Sequence, residues 1–198
     1  LFAAQSCTHG DAIYVAGGAS MLGEPSGTIS GLIRYAPSAV TLEEISSSID
    51  GAGVFGVLAP DPTPGGGGSL LLTSSILHDP THDSLVTAVV RVSTDDGSGM
   101  RLATEEVPVA RTGASSIDPN SSLGLRVLGG FGDSLSTPTI WELSVADLLW
   151  EFVPITAAAG GAVPMGRRSM RNWNVRRPVV YHGLDLASTI VDDGVWIL

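Results

Sequence analysis

The stretch Arg126-Val127-Leu128-Gly129-Gly130 ends an apolar run in two adjacent glycines. Trp150 follows twenty residues after Gly130, in "DLLWEFV" (147–153), and an arginine pair closes "PMGRR" (164–168). An apolar run stopped by Gly-Gly reads as a strand with a steep exit, because glycine lets the backbone turn where a side chain would obstruct it. A lone tryptophan at that distance reads as packing between sheets, where a large aromatic ring buries about 150–250 Å².

Similar short runs recur between turn signals. They are "AIYVAGG" (12–18), "GLIRY" (31–35), "VTLEEI" (40–45), "GVFGVLA" (53–59), "SLLLTSS" (69–75) and "SLVTAVVRV" (84–92). Then come "MRLATEEV" (100–107), "LGLRVLGG" (123–130), "TIWELSV" (139–145), "LLWEFVPI" (148–155) and "GVWIL" (194–198). Several alternate apolar and polar residues, as half-buried strands do, and others are solidly apolar, as central strands are. "SVADLLWEF" (144–152) is the best helical stretch, but it is short and Pro154 stops it. The chain is therefore all-β.

The runs also repeat. "AIYVAGG" aligns with "GLRVLGG", and each is followed by a variable loop, a strand with an aromatic ("LIRYAPS", "TIWELSV") and a closing strand ("VTLEEI", "LLWEFVPI"). The middle of the chain is a weaker copy, with Thr73-Ser74 in place of the glycine pair. The joints "EVPVARTGAS" (106–115) and "AVPMGRRSM" (162–170) stand 56 residues apart, from Pro108 to Pro164. Four short strands per unit at such a period is the arithmetic of propeller blades.

On these residues the chain resembles the kelch-repeat β-propellers. The best unit runs from Arg111 to Arg168, with "ARTGASS", "RVLGG", "TIWELSVADLLW" and "PMGRR" in order. The resemblance implies that Gly129-Gly130 close a second strand, that Trp150 and Trp141 carry the aromatic signature with Trp141 near a tyrosine slot, and that Arg111 and Arg168 reach carbonyls of a neighbouring blade. Gly17, Gly18 and Tyr35 match in the first unit, where Leu42 stands at the tryptophan position. The expected fold is a partial β-propeller of four-stranded antiparallel blades. It is one fragment over 1–198, with units at about 1–50, 51–107, 108–165 and a partial unit at 166–198. Three and a half blades fall short of the usual four to eight, and an arc leaves two sheet faces open. A start at Leu1 and an end inside "DDGVWIL" fit this. The expectation is that another protein, or the remainder of the same polypeptide, completes the ring.

Composition narrows the function. The chain has 198 residues, a formal charge of -10 and 43% hydrophobic against 15% charged residues, the balance of a folded domain rather than a disordered one. Twenty-five glycines and twelve prolines imply many turns. The acidic balance argues against nucleic acid and anionic membrane surfaces. No apolar run is long enough for a membrane-spanning helix. All ten basic residues are arginine. Cys7 is the only cysteine, which fits a reducing compartment, or an oxidising one with a free or intermolecularly paired thiol. The compartment stays open, with a slight tilt to the extracellular side from low charge, absent lysine and abundant Ser, Thr and Gly. There Asn120-Ser121-Ser122 would be a glycosylation sequon.

Chemistry-bearing motifs are sparse. "GDSL" (132–135) matches a serine-hydrolase box in letters, but Ser134 follows no first strand of an α/β fold and reads as an inter-strand loop. "HDPTHD" (78–83) has two histidines four apart, but Pro80 makes it a loop rather than a helical metal face. "PGGGGS" (64–69) lacks the Lys-Ser/Thr of a phosphate loop and reads as a flexible surface loop. Cys7, His9, Tyr14 and Tyr181 invite comparison with copper radical oxidases. Those are propellers resembling kelch, with tyrosine and histidine ligands and a tyrosine cross-linked to cysteine, but no full ligand set is recognisable here. The basic cluster "RRSMRNWNVRR" (167–177) offers Arg167, Arg171, Arg176 and Arg177 to an acidic partner, with Trp173 as anchor; the competing reading is an inter-blade strand and loop. The leading expectation is a noncatalytic protein-binding or assembly scaffold with no cofactor and no metal. The alternatives are a propeller-based enzyme or a purely structural subunit of a large complex.

Overall fold

The computed structural model describes residues 4–16, 31–49, 57–63, 65, 67–79, 84–104, 115–117, 125–128, 140–154, 171–173, 179–181 and 195–197. Every regular element among them is a strand. The first sheet holds β1 (Gln5–His9), β2 (Ala12–Ala16), β3 (Leu32–Ala36) and β4 (Thr41–Ser46). The second holds β5 (Val57–Pro60), β6 (Ser69–Asp79), β7 (Ser84–Ser93) and β8 (Gly99–Leu102). The third holds β9 (Ser115–Ile117), β10 (Leu125–Leu128), β11 (Ile140–Ser144) and β12 (Leu149–Val153). The fourth holds β13 (Arg171–Trp173), β14 (Val179–Tyr181) and β15 (Val195–Ile197). Each sheet is an antiparallel meander whose strands lie side by side in chain order. The architecture is thus a repeated four-stranded sheet of the kind that forms propeller blades.

The sheets are tied through their first strands and their faces. β5 lies beside both β1 and β9, and β9 lies beside β13. One apolar layer joins Ala12, Tyr14, Ala16 and Leu32 of the first sheet to Leu58, Leu70, Leu72, Val90 and Val92 of the second. A second layer joins Val57, Ala59, Leu71, Val89 and Leu102 of the second sheet to Leu125, Val127, Leu143 and Trp150 of the third. Alternate residues of one strand serve different layers: Leu70 and Leu72 point one way and Leu71 the other, as the two-residue period of a strand requires. Burial on both faces explains why "SLLL" and "VVRV" read as nearly unbroken apolar runs.

The hairpins between the third and fourth strands of the three four-stranded sheets are alike. Four residues link the strands in the first and third sheets and five in the second, and the fourth is left-handed each time: Val40 (φ 53) in "PSAV", Gly97 (φ 70) in "TDDG" and Leu148 (φ 57) in "VADL". Leu148 N–H donates to the Ser144 carbonyl at 2.8 Å, and Gly97 N–H to the Ser93 carbonyl at 3.0 Å. "SVADLLWEF" is therefore a hairpin. Gly97 is required for a second reason, since a Cβ there would collide with the Cβ of Ser46 in the first sheet. Val40 and Leu148 adopt the same conformation at a cost of roughly 1–2 kcal/mol each.

Three details differ from the sequence reading. β6 runs on through Thr73-Ser74, where a glycine pair would end it, and shifts register between Ser74 and Leu77. The Thr73 hydroxyl takes over a structural duty at that point by accepting a hydrogen bond from Val57 N–H at 2.9 Å. His78 and Asp79 are consequently the last residues of β6, paired with Leu85 and Ser84, rather than part of a loop. The end of the glycine tract is bonded on both sides: His9 Nε2–H donates to the Gly67 carbonyl at 2.8 Å, and Thr94 N–H donates to the Gly68 carbonyl at 2.8 Å.

Candidate functional site

The repeated hairpin puts the three sheets in register, so residues at matching places can be compared. Counting from the turns, Tyr35 matches Val92 and Leu143, Ile33 matches Val90 and Trp141, and Leu42 matches Gly99 and Trp150. Through the next strand inward, Ile13 matches Leu70 and Leu125, and Val15 matches Leu72 and Val127. In the second and third sheets these positions form the face turned to the preceding sheet, and Leu70, Leu72, Val90, Val92, Leu125, Val127 and Leu143 are all buried there. In the first sheet the same positions are apolar but belong to neither buried layer. Ile13 is 36% exposed and Leu42 is 74% exposed, with Val15, Ile33 and Tyr35 half-buried between them. We call this the leading face of the first sheet.

The opposite, trailing faces carry charge at a matching position. Arg34 faces Glu43 across β3 and β4 at 3.7 Å, an exposed pair. Arg91, at the matching position of β7, turns to Asp61 instead, with Nε to Oδ2 at 2.6 Å. The Asp61 side chain is only 1% exposed, and its other oxygen accepts from Thr63 N–H at 2.9 Å. In the third sheet the order is reversed: Glu142 takes the place of the arginine and Arg126 on β10 supplies the cation, at 2.6 Å. Each pair neutralises itself within its own sheet, so these charges stiffen sheets rather than advertise a ligand site.

Cys7 lies directly across from Tyr14, and the His9 and Tyr14 rings are 6.3 Å apart. Tyr14 belongs to the apolar layer against the second sheet. Burial pushes the Cys7 thiol up to about 12, so it stays protonated and unreactive near neutral pH. Among the described residues, no three His, Cys, Asp or Glu side chains come together as a metal site. Among the described residues, no helix is long and apolar enough to cross a membrane.

The residues singled out in the sequence are distributed as follows. Trp150 is buried in the layer between the second and third sheets, with Trp141 packed beside it and Phe152 edge-on to Trp141 at 5.9 Å. The indole N–H groups of both tryptophans are buried, with no hydrogen-bond acceptor among the described residues. By hairpin register Trp141 matches Ile33, two residues from Tyr35 but on the same face. Arg171 and Trp173 lie on β13, which divides the basic cluster: Arg167 and Arg168 precede the strand, and Arg176 and Arg177 follow it. Gly17, Gly18, Arg111, Asn120, Gly129, Gly130, Ser134, Arg167, Arg168, Arg176 and Arg177 lie outside the described residues.

Sequence reading missed the leading face, because its apolar residues alternate exactly as those of a covered sheet would. Only the shared hairpin, which is alike in geometry and not in letters, reveals which face has a neighbour. Compared with known proteins, the chain matches no family model and no curated protein.

Proposed function

We propose that this chain is a noncatalytic protein-binding or assembly scaffold built on a kelch-like propeller. The observation that supports it is the leading face of the first sheet, an apolar and partly exposed surface, where the matching faces of the second and third sheets are buried against their neighbours. The resemblance to kelch repeats rests on the unit from Arg111 to Arg168, and the basic cluster around Trp173 is the second surface offered to a partner, an acidic one. An extracellular setting remains part of this reading.

The test is native mass spectrometry of material isolated from its natural source, followed by denaturation. The expected result is a chain that travels with a second polypeptide and without stoichiometric metal. A tightly bound copper ion with alcohol- or sugar-oxidising activity would overturn the scaffold reading in favour of a propeller oxidase.

A further inference from the structure

We propose that Asp96–Gly97 is a latent isomerisation site. The native turn between β7 and β8 holds the dipeptide shut, and each opening of that turn exposes it to a rearrangement that bars the turn from re-forming against the first sheet. The inference is independent of what the chain binds.

The chemistry is that of an aspartate followed by glycine. The Gly97 amide nitrogen attacks the carboxyl carbon of the Asp96 side chain. A new C–N bond forms, and the amide proton leaves with the carboxyl hydroxyl as water, which closes a succinimide ring. Water then adds to the main-chain carbonyl carbon of that ring and breaks the original peptide bond. The chain now runs on through the side-chain carbons, with a free α-carboxylate beside it. The water lost is regained, so the product is an isomer, an isoaspartate. The first step needs a protonated carboxyl group and an amide nitrogen free to approach it. Asp95 precedes a residue whose side chain hinders the attack, while Asp96 precedes glycine, which has none.

The turn withholds both requirements. Gly97 N–H donates to the Ser93 carbonyl at 3.0 Å, which engages the nitrogen. Asp96 Oδ1 accepts from Ser98 N–H at 3.0 Å and from the Ser98 hydroxyl at 2.8 Å, which commits the carboxylate to Ser98. These bonds, the one from the Ser98 backbone foremost, hold the carboxyl down at about 2, so the protonated form is scarce near neutral pH. Ser93 N–H to the Ser98 carbonyl at 2.9 Å and Thr94 N–H to the Gly68 carbonyl at 2.8 Å pin the same turn. Asp96 itself is exposed, so hydrogen bonding and not burial is the guard.

The position also makes the rearrangement costly. An isoaspartate lengthens the main chain by one carbon just before Gly97. That glycine is buried at φ 70, and a Cβ on it would collide with the Cβ of Ser46 in the first sheet. The contact between the two sheets has no room for a displaced backbone, so the lesion falls on the joint itself.

The test ages the purified chain in warm neutral buffer with and without urea. Trypsin then releases the peptide 92–101, and fragmentation that distinguishes the two linkages assigns any isoaspartate to Asp95 or Asp96. Isoaspartate at Asp96 is expected to accumulate at least about tenfold more slowly in the folded chain than in urea. Ser98→Ala removes the hydroxyl bond and keeps the backbone one, and it is expected to raise the folded rate about threefold while leaving the rate in urea unchanged. Circular dichroism establishes that this variant folds; should it not, the comparison on the unaltered chain still decides. After ageing in urea and return to buffer, isoaspartate at Asp96 is expected to be concentrated in the chains that fail to refold. Equal rates with and without urea overturn the proposal. So does a folded Ser98→Ala chain that ages no faster than the parent, or a refolded fraction as rich in isoaspartate at Asp96 as the unfolded one.

Discussion

Trp150 and Leu42 occupy the same place in two copies of one hairpin, one residue into the fourth strand after a four-residue turn. Trp150 is 2% exposed and Leu42 is 74% exposed. The strands, the turn and the cross-strand neighbour are equivalent, so local structure does not cause the difference. Position in the stack does: the third sheet has the second before it, and nothing described lies before the first. Burial here is a property of a sheet's place among sheets, and a substitution at matching positions should report that place.

The largest contrast is expected at this pair. Trp150→Ala empties the layer between the second and third sheets and should cost about 3–5 kcal/mol in chemical denaturation. Leu42→Ala should change the stability of the isolated chain by no more than about 0.5 kcal/mol. Equal losses at the two positions would break the comparison and show that the leading face is already covered.

The ion pairs give the next contrast. Arg91→Ala strands the buried Asp61 carboxylate without its cation and should cost about 3 kcal/mol. Arg34→Ala removes an exposed pair at the matching position and should cost about 0–1 kcal/mol. Thermal melts of the two variants in parallel would show whether burial or repeat position sets the value of an arginine.

A smaller effect, with opposite signs at equivalent sites, is expected in the turns. Val40→Gly relieves a left-handed valine and should stabilise by about 1 kcal/mol. Gly97→Ala creates that strain and drives a methyl group into Ser46, so it should destabilise by more than about 1 kcal/mol. If both substitutions moved stability the same way, the three turns would not be equivalent.

The smallest effect concerns Cys7. Its thiol ionises near 12 when folded against an ordinary 9.0, so the neutral form is favoured by the fold. The stability this contributes is complete below about pH 9 and is lost as pH rises towards 12. Thiol-reagent kinetics at pH 8 should be slow in the native chain and fast in urea. Rapid labelling of the folded chain would place Cys7 outside the layer against the second sheet.

Much of this architecture was legible from the residues. "AIYVA", "LIRY" and "VTLEEI" betray strands by alternation, and "SLLL" and "AVVRV" by unbroken apolarity. β1, with the letters "QSCTH", was not, because a polar strand beside other first strands gains its place from neighbours rather than from its own hydrophobic pattern. β13 and β9 are three residues each and offer too little pattern to read. The common turn escaped as well, since "PSAV", "TDDG" and "VADL" share a backbone shape and almost no chemistry. Thr73 shows the limit of reasoning by motif: where glycines would end a strand, a hydroxyl bonded to Val57 lets it continue. Of the basic cluster, only Arg171 and Trp173 fall within a described strand, one too short for its letters to announce.

The second sheet has apolar side chains on both faces, and this bears on how the chain acquires its structure. A sheet with one wet face can persist while its neighbours are still forming. β5–β8 have no such face, so the sheet gains most of its stability only when the first and third sheets dock against it. Repeat proteins of this kind derive their cooperativity from the joints between units. Here the joints meet in the middle unit, which makes the second sheet the last piece able to exist alone and the one whose loss would release both neighbours together.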